Sequence, residues 1–173
     1  HKDGVPKQLN QTQKDMKKVL FSLLLAMATF AANATTPDEI FTMFKQMPNA
    51  SYTHLPKILI KAGLACGKND VDNDAKDIAK KVSSISVLEL EDCSKKVKDD
   101  LAEAVSKLNT GKYETLVKSN DDDEKVNILL KTSKDTIKEM LIVDIDGDEA
   151  TLVQIKGKIK RSDIDKMVKF STK

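Results

Sequence analysis

The sequence predicts an α+β fold: an antiparallel sheet of about five strands, four of them a C-terminal meander, with helices packed on one face. Three observations predict it. From Lys112 to Ile159, four apolar runs are separated by three short polar, turn-forming clusters. Asp146-Gly147, between two of those runs, is a strong hairpin signal. Upstream, Val97, Leu101, Ala104, Val105 and Leu108 recur at helical spacing with Lys and Asp opposite. Hairpins force antiparallel pairing of the last four strands, and the helix must then lie on one sheet face.

The chain of 173 residues does not all belong to that fold. Met16-Lys17-Lys18 supplies a start and a basic region, Val19 to Ala32 is apolar apart from Ser22 and Thr29, and Ala32-Asn33-Ala34 fits a small-x-small cleavage site. Residues 16–34 are therefore expected to be a signal peptide cleaved after Ala34, and the product periplasmic or secreted. The apolar run falls short of the roughly 20 residues a spanning helix needs, so no transmembrane anchor is expected after cleavage. Residues 1–15 precede the start and read as an upstream or non-native segment. Residues 35–173 remain as a single α+β domain, large enough for a real core.

The leader holds five Lys and two Asp, so of 29 basic and 27 acidic residues the mature chain keeps 24 and 25, a net charge of −1. Such a balance offers no electrostatic case for nucleic acid. The mature chain has no Trp and only Phe41, Phe44, Phe170, Tyr52 and Tyr113 as aromatics, too few for a stacking platform. Its two cysteines, Cys66 and Cys93, leave two readings open after export: a disulfide, or two free thiols.

The elements follow in order. Thr36 caps a helix with Pro37 in its first turn and Asp38 and Glu39 at its positive end; Ile40, Phe41, Phe44 and Met47 form its apolar side, and Pro48 stops it. Asn49 to His54 reads as a link, strand or turn. Leu55-Pro56 begins a second helix carrying Ile58, Leu59 and Ala62. Gly63 to Asn69, GLACGKN, is one residue short of a phosphate loop, lacks the Ser or Thr after Lys68, and follows a helix where a strand is required. Asp70, Asp72 and Asp74 alternate as in a calcium loop, but Ala75 replaces the required Gly and Lys81 the closing Glu. Ala75, Ile78, Ala79 and Val82 make a short amphipathic helix.

Ser83 to Leu90 is β-branched-rich and reads as a strand, with Ile85 and Val87 on one face and Leu88 and Leu90 on the other. The helix at 94–108 ends at Asn109-Thr110-Gly111. The meander then runs through Tyr113–Lys118, an acidic turn, Lys125–Lys131 with Val126, Ile128 and Leu130 inward, a second turn, Ile137–Asp144, and Ala150–Gly157. Met140-Leu141-Ile142-Val143 is unbroken and predicts a central strand covered on both faces. Arg161-Ser162-Asp163 opens a final helix with Ile164, Met167 and Val168 as its apolar side.

Ser83–Leu90, Tyr113-Glu114-x-Leu116, Ile137 to Val143 and Leu152-Val153-Gln154-Ile155-Lys156-Gly157-x-Ile159, with the Phe41-x-x-Phe44-x-x-Met47 helix and Tyr52, resemble an exported Bacteroidota family catalogued as domain of unknown function 4252. The resemblance covers nearly all of the mature chain. It implies an exported α+β envelope protein with no established activity and supplies no catalytic residues. Many members of that family begin at a lipidated Cys; no Cys stands near the cleavage site here.

Chemistry-bearing residues are sparse. His54 is the mature chain's single histidine, so no Ser-His-Asp set suggests itself, and no catalytic residue or cofactor is expected. Two acidic hairpins, Asp121-Asp122-Asp123-Glu124 and Asp144, Asp146, Asp148 with Glu149, would share one sheet end and supply candidate oxygens for a hard cation. Such turns also solubilise hairpin ends. The expected function is a non-catalytic protein-interaction or binding module, its partner another envelope protein. The alternative is a small-ligand or divalent-cation module using the acidic turns, with a hydrolase least favoured.

Overall fold

A computed structural model describes residues 36–66, 73–108, 111–121 and 124–164. Its elements are α1 (Pro37–Phe44), β1 (Ala50–Pro56), α2 (Lys57–Cys66), α3 (Asn73–Lys81), β2 (Val82–Leu90), α4 (Lys95–Lys107), β3 (Glu114–Asn120), β4 (Glu124–Ser133), β5 (Thr136–Asp146), β6 (Glu149–Lys160) and a closing 3-10 turn, Arg161–Asp163. The signal segment, residues 1–15, Asp70 and Asp72, the helix end at 109–110, Asp122, Asp123 and the final helix beyond Ile164 lie outside the described residues.

The fold is α+β, with six strands in one antiparallel sheet ordered β1-β2-β6-β5-β4-β3. The meander is contiguous, from β3 to β6, as its hairpin signals require. The strand beyond the five counted is β1, at the segment read as a link, strand or turn. It pairs along its whole length with β2, from Ala50↔Leu90 to Pro56↔Ser84. Lying at an edge, it buries little, so its residues carry almost no apolar alternation, and Pro56 is tolerated there because an edge need not donate on both sides.

Register explains the core. On one face the rows Tyr52-Leu88-Leu152-Val143 and Ala50-Leu90-Ala150-Ile145 run side by side across β1, β2, β6 and β5, followed by Ser86-Gln154-Leu141-Leu129 across β2, β6, β5 and β4. Ile40, Phe41 and Phe44 of α1 and Val97, Leu101, Ala104 and Val105 of α4 close over them. Both helices begin as the sequence predicts. Thr36 and Glu39 form a reciprocal capping box, and Ser94 accepts from the Val97 amide.

The opposite face holds a second cluster, Val82, Leu130, Ile137, Met140 and Ile159, joined by Ile60 of α2. Met140, Leu141 and Val143 are all buried, as a central strand requires. Ile137 belongs to this second face because a bulge between it and Glu139 breaks the two-residue alternation. Strand β4 departs from the expected one-sided pattern: Leu129 is fully buried and Asn127 half-buried, because α4 lies over the side read as outward. The Lys81–Asp163 ion pair, 2.7 Å, ties the end of α3 to the turn after β6.

Gly157 sits where β6 meets the α3–β2 junction. A Cβ there would lie 2.5 Å from the Lys81 carbonyl oxygen, and backbone cannot swing aside as a side-chain tip can. Gly63, inside α2, has open space around it. Gly157→Ala should therefore destabilise the fold by about 1–3 kcal/mol, while Gly63→Ala should stabilise it by about 0.5–1 kcal/mol through a smaller loss of chain entropy. Urea midpoints of the two variants check this; equal midpoints would contradict the packing at Gly157.

Candidate functional site

Three buried polar residues, Ser86, Glu139 and Gln154, belong to one polar array on the helix-covered face. Gln154 of β6 donates through Nε2 to Glu139 Oε1 at 2.6 Å and to Asp38 Oδ1 at 3.1 Å. Tyr113, just before β3, donates its hydroxyl to Glu139 Oε2 at 3.0 Å. Lys156 Nζ reaches both Asp38 oxygens, at 3.0 and 3.1 Å. Glu139 and Gln154 are both buried, so a carboxylate inside the core has each oxygen satisfied. Burial alone would raise the Asp38 carboxyl, but the hydrogen bonds from Lys156 and Gln154 and the Lys156 charge hold it below the ordinary range. Burial, followed by the Glu139 charge and hydrogen bond, pushes the Tyr113 hydroxyl well above its ordinary value.

His54 extends this array on β1, its Nδ1 2.9 Å from Ser86 Oγ. Register puts Ser86 between His54 and Gln154 in one row. A hydroxyl beside an imidazole is the beginning of nucleophilic chemistry. Here, however, Ser86 is only 4% exposed on an inner strand beneath the helix layer, with no room for a substrate carbonyl at its Oγ. The array works as a polar clamp between α1, β2, β5 and β6. No motif spacing could have revealed it, because Asp38, Tyr113, Glu139 and Gln154 come together only through the sheet.

The acidic turns do share one sheet end, since β3–β4 and β5–β6 turn the same way and Glu124 pairs with Asp146. Among the described residues, though, no three His, Cys, Asp or Glu side chains group to hold a metal ion. Asp144 and Asp146 stand on β5, Asp148 in its turn, and Asp121 ahead of β4; Asp123 lies outside the described residues. Asp144 Oδ1 is buried without a hydrogen-bond partner. The β5–β6 turn is instead docked to the protein: Cys93 donates its amide to the Asp148 carbonyl at 2.6 Å, and Lys98 donates to the Gly147 carbonyl. Gly147 takes the positive φ, 55°, that such a tight turn demands. Cys66 is an exposed free thiol and Cys93 a half-buried one, its thiol pushed up by burial.

The most unusual surface is α2. The helix expected to carry Ile58, Leu59 and Ala62 is present, and it has no buried residue. Ile58 is 74% exposed, Leu59 52% and the adjoining Leu55 37%. Only Ile60 packs against the second cluster. Lys57 and Lys61 are its only charges, and no acidic residue lies between Leu55 and Cys66. Large apolar side chains exposed this close together in sequence set α2 apart from the other described helices. Among the described residues no helix is long and apolar enough to cross a membrane.

Comparison with known proteins gives one match. The family model described as Domain of unknown function (DUF4252) matches residues 44–167, which takes in the whole sheet and α2 to α4 but only Phe44 of α1. No curated protein and no solved structure matches the chain.

The polar clamp predicts opposite responses to acid and alkali. A lowered folded value means that Asp38 contributes stability above its unfolded value near 3.8 and loses it as pH falls through the lower folded value. Asp38→Asn should thus be less stable than the parent at pH 6 and converge with it below pH ~3. A raised Tyr113 stabilises below its ordinary value of 10.0, and that contribution is lost as pH rises toward the folded value. Tyr113→Phe should cost about 1–3 kcal/mol at neutral pH and flatten the alkaline loss. Urea titrations across pH test both; parallel pH profiles for parent and variants would contradict the clamp.

Proposed function

The chain belongs to the DUF4252 family, and from that premise we propose that it is an exported cell-envelope protein of Bacteroidota, a non-catalytic module that binds another envelope protein through the apolar surface of α2 and the end of β1. Export is supported by the Met16–Ala34 pattern. The Bacteroidota setting is supported by the resemblance of the strand motifs. The single observation that carries the binding role is the exposure of Leu55, Ile58 and Leu59 together on an element with no buried side chain of its own. Nothing in the folding of this domain requires those three to be apolar, since they contribute little to its core. Covering them in a complex would remove that apolar area from water at roughly 25 cal/mol per Å². The absence of acidic residues from 55 to 66 adds a preference for a partner whose rim is acidic.

Site-specific photo-crosslinking tests the proposal. With p-benzoylphenylalanine at Ile58, one discrete protein adduct should form in the periplasm. Leu59→Asp should abolish it, and the same probe at Val117, exposed on the opposite edge strand β3, should not give it. Two results would overturn the reading: identical adducts from both positions, or adducts to lipid alone together with co-sedimentation on anionic vesicles.

A further inference from the structure

A cavity of about 210 Å³ lies between α4 and the outer half of the sheet. It opens where the helix-covered rows change character. The row Leu88-Leu152-Val143 continues into Asn127 and Lys118, and the row Leu90-Ala150-Ile145 into Lys125 and Asn120. Helix α4 covers the apolar part of these rows and stops short of β3, whose residues are all exposed. The result is a cleft with an apolar floor, Val105, Val143 and Ile145, and a cationic, amide-bearing wall, Lys118, Lys125 and Asn127.

Two features of this wall point to a ligand. Asn127 Oδ1 is buried without a hydrogen-bond partner. A buried acceptor left unpaired costs on the order of 1–3 kcal/mol, and a ligand carrying a hydroxyl or amine would satisfy it. Among the described residues, neither Lys118 nor Lys125 forms an ion pair, although Lys125 lies within the field of Asp99 on α4. Two ammonium groups above an apolar floor match an anionic head on a short carbon chain.

We propose that the cleft between α4 and the β3–β4 hairpin binds a small hydroxylated carboxylic acid, its carboxylate held by Lys118 and Lys125, its hydroxyl donating to Asn127 Oδ1 and its carbon chain lying on Val105, Val143 and Ile145. The site is separate from the α2 surface and does not depend on it. The size of the cleft restricts the acid to a handful of carbon atoms.

The test is an NMR titration of the full chain with 3-hydroxybutyrate, butyrate and 1,3-butanediol at constant ionic strength. Saturable shifts of the Asn127 side-chain amide and the Val105 and Val143 methyls are expected with 3-hydroxybutyrate. Butyrate, lacking the donor, should bind several-fold more weakly, and 1,3-butanediol, lacking the charge, about tenfold more weakly or worse. Lys118→Met combined with Lys125→Met should abolish the response while leaving the rest of the spectrum folded. Three outcomes would overturn the site: no saturable shift at tens of millimolar, the same shifts from sodium chloride, or undiminished binding by the double variant.

Discussion

The fold depends on one sealed apolar layer, the rows centred on Leu88-Leu152-Val143 and Leu90-Ala150-Ile145 beneath α1 and α4. Those residues come from strands distant in sequence, so the layer exists only when β2, β6 and β5 are in register. A shift of one residue would turn Leu88 and Leu152 outward and bring Val87 and Val153 in. Glu139, Gln154 and Tyr113 work against such a shift, because their hydrogen bonds close only in the native register. A buried carboxylate would be strongly destabilising if left unpaired, and here it makes the correct alignment distinguishable from its neighbours.

Sealing one face leaves the surfaces where binding is proposed. Helix α4 is long enough to cover the middle of the sheet but not β3, which opens the cleft beside Asn127. Helix α2 follows an edge strand and touches the second cluster through Ile60 alone, so its other apolar side chains stay in water. Both proposed sites thus arise from incomplete cover over a rigid sheet, and neither requires a catalytic group. The acidic β5–β6 turn, by contrast, is occupied with local structure: the Gly147 and Asp148 carbonyls are held by Lys98 and the Cys93 amide.

Much of the fold is legible in the sequence because local rules and tertiary structure agree there. The stripe of α4, the capping box at Thr36 and the Asp146-Gly147 hairpin each carry their signal within a few residues. The run Met140 to Val143 announces burial on both faces. Strand β1 was legible only as one of three readings, because an exposed edge needs no alternation. Helix α2 is legible as a helix, but apolar residues at helical spacing do not reveal whether they face the protein or a partner. Asn127 read as a solvent-facing residue, and the helix lying over it could not be inferred from β4 alone. The polar clamp was invisible, since Gln154 reaches Asp38 and Glu139 across separations that no motif spans.

The pairing of β2 with β6 has a consequence in time. Hairpins β4–β5 and β5–β6 close over tight turns, whereas Leu88 must wait for Leu152. Closing a long loop is slow and entropically opposed until the contacts that reward it can form. During synthesis β2 can pair with β1 as it emerges, but its other edge has no partner until Glu149–Lys160 has been made. A chain that cannot finish its core before its last strand exists keeps apolar side chains of its first half in reach of water until synthesis is nearly complete.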